Sequence, residues 1–561
     1  MFAQTAFVYG KITDKKNKPV EGANIVILGE SGEGTSSNPE GSYSITVPLN
    51  DTTVLIYSYV GFQKVIKKIF AVQADTFKLN IVLIEQNELP QVEITESNRN
   101  EIISPIPIDQ LEYIPDPSGD PLIASLKRYV VSNNELSSQY SVRGGNYDEN
   151  LVYVNDFEIY RPLLVRSGQQ EGLAFPNYDM ISKVGFSAGG FEAKYGDKLS
   201  SVLDIQYKKP KDFEAGVTAS LLGASFYFNE GNDSSRSYYL FGARFKTNQY
   251  LLNALNTEGQ YKPVFYDIQG LYGIDLNEKS TLEILGNFSS NSYTFIPESR
   301  VTSTGVVNNV IQLDVAFEGQ EVDKFLTGFG GVSYQYRPNT RTGYKFLVST
   351  YHALETETFD VIGDYFIGQV ESNLGEEDFG EVAYGLGIGT FQNFARNYLQ
   401  STVSNIGHEG YSERAAHFIR WGARAQYELI TDELKEWELL DSAGYSLPYT
   451  GEQVTIKEVF RSTVNLESYR FHAYVQDTWA PEKNNKYSIT GGIRTSYWTI
   501  NNELTITPRF QFSYKPEWKK KNDSTSRDII WKAATGMYFQ PPFYRELRDL
   551  DGLIHEDVQS Q

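Results

Sequence analysis

The chain has no cysteine among its 561 residues, which removes disulfides, thiol chemistry and Cys-ligated zinc together. It also lacks any run of about 18 apolar residues, so an ordinary transmembrane helix is excluded. Histidine is scarce. The five, His352, His408, His417, His472 and His555, show no spacing of the His-Glu-x-x-His kind, so no metal site is expected. Basic residues are outnumbered, 50 Lys and Arg against 71 Asp and Glu, giving a formal charge of −21. Nucleic acid, which needs clustered cations, is thereby argued against as a partner.

Catalytic constellations are missing as well. Gly185-Phe186-Ser187-Ala188-Gly189 satisfies the Gly-x-Ser-x-Gly pattern of a hydrolase elbow. That elbow requires a helix after the serine, and Gly190 to Gly196 is a poor helix former. Gly385 to Gly389 and Gly328 to Gly331 read as small residues within strands rather than as phosphate cradles. The expectation is a protein with no catalytic residues and no cofactor.

What is abundant points to β-structure. Aromatics reach 14% of residues, with 39 Tyr and 33 Phe against 3 Met, and these are residues that suit pleated, half-exposed surfaces. Mean hydropathy is −0.39. A soluble protein has such a value, and so does a membrane β-barrel, because only alternate strand residues face lipid.

Four stretches follow one another. Residues 5–86 hold about seven short strands separated by turn residues, the pattern of a small β-sandwich. Gly10, Pro19-Val20-Glu21-Gly22-Ala23, Asn38-Pro39-Glu40-Gly41-Ser42-Tyr43 and Tyr59-Val60-Gly61-Phe62 together resemble the carboxypeptidase-regulatory-like domain. In that family the domain carries no catalytic residues and often precedes outer-membrane receptors of Bacteroidetes-type bacteria. Residues 87–105 form a polar linker. Within it Leu89, Pro90, Gln91, Val92, Glu93, Ile94 and Thr95 make a short extended segment able to add a strand to a partner's sheet. The segment resembles a TonB box in position and in its Val-x-Ile core, with an ordinary linker as the alternative reading.

Residues 106–210 are mixed α/β. Pro121 to Val130 is an amphipathic helix with Leu122, Ile123, Leu126 and Val130 on one face. An Arg143-Gly144-Gly145 turn follows, then a strand Leu151 to Val154 and a turn at Asn155-Asp156. An isoleucine-led strand from Ile181 comes next, then the Gly189-Gly190 bend, Tyr195-Gly196, and a closing strand Ser201 to Ile205. In order and spacing these motifs resemble the plug of TonB-dependent receptors. Two readings are open for Arg143: a partner for acidic residues of a barrel wall, or an exposed turn arginine.

Residues 211–561 read as about twelve long strands of period two, as tilted membrane strands require. In the hairpin Arg470 to Trp498, Phe471, Ala473 and Val475 share one face, and Arg470, His472, Tyr474 and Gln476 the other. On the return strand Tyr487, Ile489, Gly491, Ile493 and Tyr497 oppose Ser488, Thr490, Arg494 and Ser496. Trp479, Tyr487, Tyr497 and Trp498 lie near strand ends, where aromatic girdles form. Val217 to Phe228 is expected to be one strand, and Asn291 to Asp323 and Thr431 to Val459 long loops.

The fold class expected is therefore mainly β: a β-sandwich, an α/β plug and the first part of a large antiparallel transmembrane barrel. Plugged transporters have about 22 strands, so the chain reads as a truncated one; Gln561 also differs from the aromatic that ends such barrels. Met1-Phe2-Ala3-Gln4 reads as the tail of a secretory signal with Ala3 before the cleavage point. The resemblance implies import of an extracellular nutrient (siderophore, haem, glycan or peptide) across the outer membrane, with the N-terminal domain in the periplasm. The partners it implies are a TonB-type energy-coupling protein, outer-membrane lipid, a small or oligomeric extracellular substrate and a surface lipoprotein. A receptor or adhesin that binds without transporting is the alternative.

Overall fold

The computed structural model describes residues 5–14, 17–27, 34–49, 52–59, 62, 65–70, 76–83, 104–106, 121–126, 130, 140–160, 173–232, 236–254, 259–306, 309–441, 456–481, 486–516, 518–519, 526–527, 529–549 and 551–561. The chain divides into two compact units, Met1–Asn98 and Arg99–Gln561.

The first unit is a sandwich of two four-stranded sheets. One contains β1 (Thr5–Thr13), β4 (Ser42–Pro48), β7 (Thr76–Lys78) and β8 (Ile81–Val82). The other runs β3 (Gly34–Ser36), β2 (Asn24–Ile27), β5 (Thr52–Ser58), β6 (Val65–Phe70). Alternation makes the core: in β4 Tyr43, Ile45 and Val47 point inward beside Val8, Ile25 and Leu55, while their neighbours face water. The Tyr43 and Tyr57 hydroxyls meet at 2.8 Å inside this core, and the Tyr43 hydroxyl also donates to the Leu79 carbonyl. Gly10 is required by a close approach, since a Cβ there would overlap that same carbonyl.

The second unit has an inner domain and a large sheet. In the inner domain the strand order is β11 (Phe157–Glu158), β10 (Asn150–Val154), β13 (Ser201–Tyr207), β12 (Ile181–Ser187), β9 (Ser104–Ile106), with β10 and β13 parallel. Helix α1 covers Pro121–Leu126, and the Val130 amide donates to the Leu126 carbonyl. Val154, Val184, Leu203 and Ile205 are fully buried between these elements.

The large sheet has fourteen antiparallel strands. In chain order they are β14 (Glu214–Ser220), β15 (Gly223–Asn232), β16 (Ser237–Lys246), β17 (Gly259–Asn277), β18 (Ser280–Pro297), β19 (Arg300–Val306), β20 (Asn309–Asn339) and β21 (Thr342–Val370). Then come β22 (Val382–Arg414), β23 (His417–Asp441), β24 (Ile456–Trp479), β25 (Tyr487–Trp498), β26 (Glu503–Tyr514) and, after the short ribbon β27 (Trp518–Lys519) and β28 (Ser526–Arg527), β29 (Trp531–Gly536). Each pairs with the next; β19 is a branch on β20, and β14 and β29 are the two edges. Short helix α2 (Gln249–Leu252) lies between β16 and β17, and α3 (Tyr544–Leu547) follows β29.

Three expectations need correction. Val217 to Phe228 is two strands, because the chain reverses at Leu221-Leu222; the apolar pair continues the alternation and hides the turn. Asn291 to Asp323 and Thr431 to Val459 are largely strand: β18 and β20 pair as far as Phe295 with Glu321, and β23 and β24 as far as Leu439 with Ile456. There both faces are wet, so no alternation marks the strand. Trp498 faces inward, buried at 3% exposure beside Leu466; two-residue parity puts it on the face of Arg494, and parity prevails over its place at a strand end.

The faces of the sheet are inverted relative to a water-soluble protein. In β26 Leu504, Ile506, Phe510 and Phe512 are 62%, 50%, 47% and 37% exposed, while Thr507, Arg509, Gln511 and Ser513 are 3–5% exposed. In β24 Phe471 and Val475 face out, and His472, Gln476 and Thr478 are buried. On the outward face Phe471 lies opposite Tyr497, and Val475 opposite Ile493.

Candidate functional site

The buried polar face of the sheet is occupied by the inner domain, which it touches from β16 to β29. Four carboxylates of the inner domain, Asp156, Glu158, Glu192 and Asp197, anchor the contact. Asn155 and Asp156 both take positive φ, 50° and 69°, the geometry of a tight I′ turn between β10 and β11. This aims the Asp156 carboxylate at two ammoniums, Lys194 Nζ at 2.8 Å and Lys345 Nζ of β21 at 2.7 Å. Burial alone would raise the Asp156 carboxyl; the two ammoniums, Lys194 foremost, hold it well below the ordinary carboxylate range. Lys194 in turn is held above its ordinary value, because Asp156 and other anions outweigh the cost of its burial.

Beyond the left-handed Gly189-Gly190 bend the chain runs along the wall. Glu192 receives hydrogen bonds from Arg420 of β23 and from Gln476 of β24, the latter at 2.9 Å. Arg509 of β26 donates to the carbonyls of Glu192 and Tyr195. Gln511 reaches the Gly190 carbonyl at 2.7 Å. Asp197 accepts from Arg494 Nη2 at 2.8 Å, with His472 at 3.4 Å and Arg424 at 3.7 Å. Burial would raise the Asp197 carboxyl, and His472, Arg494 and Arg424 together hold it below its ordinary range. Arg424 also pairs with Glu158. On the opposite side Arg244 of β16 is fixed by Asp267 and donates to the Ala174 and Pro176 carbonyls at 2.8 and 3.0 Å. Guanidinium forks suit this work, since one side chain can satisfy a carboxylate and loop carbonyls together.

The sequence-marked residues therefore separate into two groups. Asp156, Gly190, Tyr195 and Gly196 lie at the wall, whereas Gly189 sits beside Arg143 and Ser200 of the inner domain. Gly190 meets Ala534, and Arg494 passes over Gly196 where a Cβ would sit. The Tyr195 ring is buried against Tyr153, and its hydroxyl donates to Asp204 at 2.6 Å. Arg143, Gly144 and Gly145 form a separate turn. Arg143 is exposed at φ 52°, pairs with no carboxylate among the described residues, and brings its guanidinium beside Gly189. Gly145 leaves room for Ser200, whose hydroxyl meets Glu149 at 2.5 Å. Leu89 to Thr95 lie outside the described residues. Ser187 is followed by the glycine bend rather than a helix, and its hydroxyl donates to the Gly189 carbonyl at 2.9 Å.

Beside this contact lies a cavity of about 90 Å³, enough for roughly six waters. Tyr147, Glu158, Tyr160 and Lys198 of the inner domain line one side, and Arg424, Glu428, Arg470 and Trp498 of the wall the other. Pro541 to Tyr544 complete it, and Tyr544 and Arg548 hold that segment to Asp432 at 2.9 and 2.6 Å.

Residues 8–94 match the CarboxypepD_reg-like domain family. No curated protein sequence matches the chain. Among solved structures it is similar to the RagAB peptide importer at 8% identity and TM-score 0.47, over 82% of this chain and 64% of that one. The outer membrane transporter YddB from Escherichia coli matches at 12% and 0.45, over 80% and 63%. The ferric preacinetobactin receptor BauA from Acinetobacter baumannii matches at 9% and 0.41, over 76% and 60%. The chain thus spans less than two thirds of each of these structures.

Sequence reasoning passed over most of the residues that do the anchoring: Glu192, Lys194 and Asp197 in the inner domain, and Arg420, Arg424 and Arg509 in the wall; Arg494 it placed on the polar face without a partner. A signal existed. Arginines standing at the inward parity of strands whose other face is apolar need a buried counter-charge, and Arg420 and Arg424, four residues apart, share that face.

Proposed function

We propose that the chain is the larger part of a TonB-dependent outer-membrane receptor that binds an extracellular nutrient and imports it into the periplasm. The observation that carries this reading is the inverted sheet: apolar side chains outward, polar and charged ones inward against a separately folded inner domain. In water such strands would expose rows of Leu, Ile and Phe and bury arginines. In a bilayer the outward rows meet lipid, and the arginines are satisfied by the inner domain. The sequence motifs of residues 106–210 support a plug, and the regulatory-like domain supports a periplasmic N-terminus.

An outer membrane has no ATP, so uptake against a gradient needs mechanical coupling through an extended segment near Leu89 to Thr95. Deleting Glu88 to Thr95 in the intact gene product is expected to abolish uptake and leave ligand binding unchanged. Unchanged uptake refutes the coupling, and binding without uptake in the undeleted protein favours the adhesin alternative. Recovery of the intact protein from aqueous periplasm rather than from outer-membrane fractions refutes the whole reading.

A further inference from the structure

Lys198 follows directly on the Asp197 anchor, and its ammonium lines the cavity without an ion-pair partner among the described residues. Its Nζ donates to the Asp148 carbonyl oxygen at 2.7 Å and lies 4.4 Å from the centre of the Phe543 ring. An ammonium has three protons to donate, and here one goes to a neutral acceptor while the carboxylates of Glu158, Asp148 and Asp197 act on it without a direct contact. Burial accordingly pulls its pKa down to about 8. Arg470 also lines the cavity; its guanidinium stacks over Trp498 at 4.3 Å and its Nη2 lies 3.3 Å from Glu428, while its Nε is buried with no partner.

Three of the four acids around the cavity are engaged, Asp148 being the exception. Glu158 takes Arg424, Glu428 takes Arg470, Ser468 and Gln426, and Asp197 takes Arg494. What remains open is the Lys198 ammonium and Arg470 Nε as donors, with the Asp148 carboxylate, its Oδ1 unpartnered, as the acceptor beside them. Leu466, Trp498, Phe543 and Tyr544 supply an apolar and aromatic surround.

We propose that this cavity binds the carboxylate of a small ligand with an apolar or aromatic body, Lys198 and Arg470 Nε donating to the carboxylate and Trp498 and Phe543 flanking the body. Asp148 Oδ1 accepts from an N–H or O–H carried beside the carboxylate. A free small acid and the C-terminus of a peptide share this chemistry. The inference rests on the transport reading only in taking this end of the inner domain as the side from which ligand arrives.

The test is equilibrium binding to the purified full chain in detergent, with N-acetyl-phenylalanine, its amide, and 3-phenylpropionate as probes. The acetylated acid is expected to bind about tenfold or more tighter than the amide, the worth of a charge-assisted hydrogen bond in a buried site. Lys198→Met is expected to erase that preference. Equal binding of acid and amide, no binding of any probe, or a preference that survives in Lys198→Met overturns the proposal. The acid-amide comparison uses the unaltered chain, so it stands even where the variant fails to fold. Binding of 3-phenylpropionate as well assigns the site to free acids, and its exclusion assigns the site to peptide C-termini. Acid preference in a protein recovered from aqueous periplasm would keep this inference and sink the transport reading; a membrane-borne importer without acid preference would do the reverse.

Discussion

Replacing Asp156 with Asn tests the anchoring of the inner domain at its most concentrated point. The carboxylate sits 2.8 and 2.7 Å from two lysines whose side chains are only 9% and 14% exposed. Removing its charge while keeping its shape takes from two buried ammoniums their nearest counter-charge, leaving Lys194 only Asp204 and Glu409 at 4.0 Å, and costs up to about 3–5 kcal/mol. The loss falls on the β10–β11 turn. Backbone amides there are held by the Asn155 bond to the Ile205 carbonyl at 2.9 Å and the Ile159 bond to the Val152 carbonyl at 3.0 Å. Hydrogen exchange at Asn155 to Ile159 in the detergent-solubilised full chain should accelerate by two or more orders of magnitude, about what 3 kcal/mol implies. Adding Lys345→Met should recover part of the loss, because one of the stranded charges is gone. The sign with pH follows from the depressed Asp156 pKa. Its stabilisation is complete above the unfolded value near 4 and is lost as pH falls from there through the lower folded value. Exchange in Asp156→Asn that matches the unaltered protein, or a double variant worse than the sum of its parts, would refute the electrostatic account.

Other perturbations probe the wall. Gly196→Ala places a Cβ on the Arg494 side chain and should cost about 1–3 kcal/mol, read as faster exchange at Lys194 to Lys198; Gly286→Ala, which meets open space, should stay within about 0.5 kcal/mol. Phe510→Arg, on the outward face of β26, should destabilise the lipid-embedded protein by about 2–4 kcal/mol in denaturant titrations in bilayers, and a neutral result would contradict the lipid-facing assignment.

Legibility in the sequence followed one physical rule: a strand with a dry face and a wet face writes its own alternation. Apart from Trp498, the hairpin Arg470 to Trp498 could be read to the residue, and its two faces stand as the alternation divides them. Where both faces are wet, as in Asn291 to Asp323, the pattern vanishes and strands looked like loops. At Leu221-Leu222 an apolar turn counterfeited the alternation and concealed a reversal. The candidate site was half visible. Glycines and the Asn-Asp turn mark where backbone must bend, and single residues announce that. The ion pairs are invisible one side chain at a time, because Asp156 and Lys345, or Glu192 and Arg420, are brought together from stretches more than 180 residues apart.

The inner domain and the sheet are also one covalent object. Strand β13 ends at Tyr207 and β14 begins at Glu214, so the leash between them is the six residues Lys208 to Phe213. Six residues reach at most about 21 Å when fully drawn out. On the proposed transport reading, whatever movement of the inner domain admits cargo keeps its carboxyl end moored within that reach of β14.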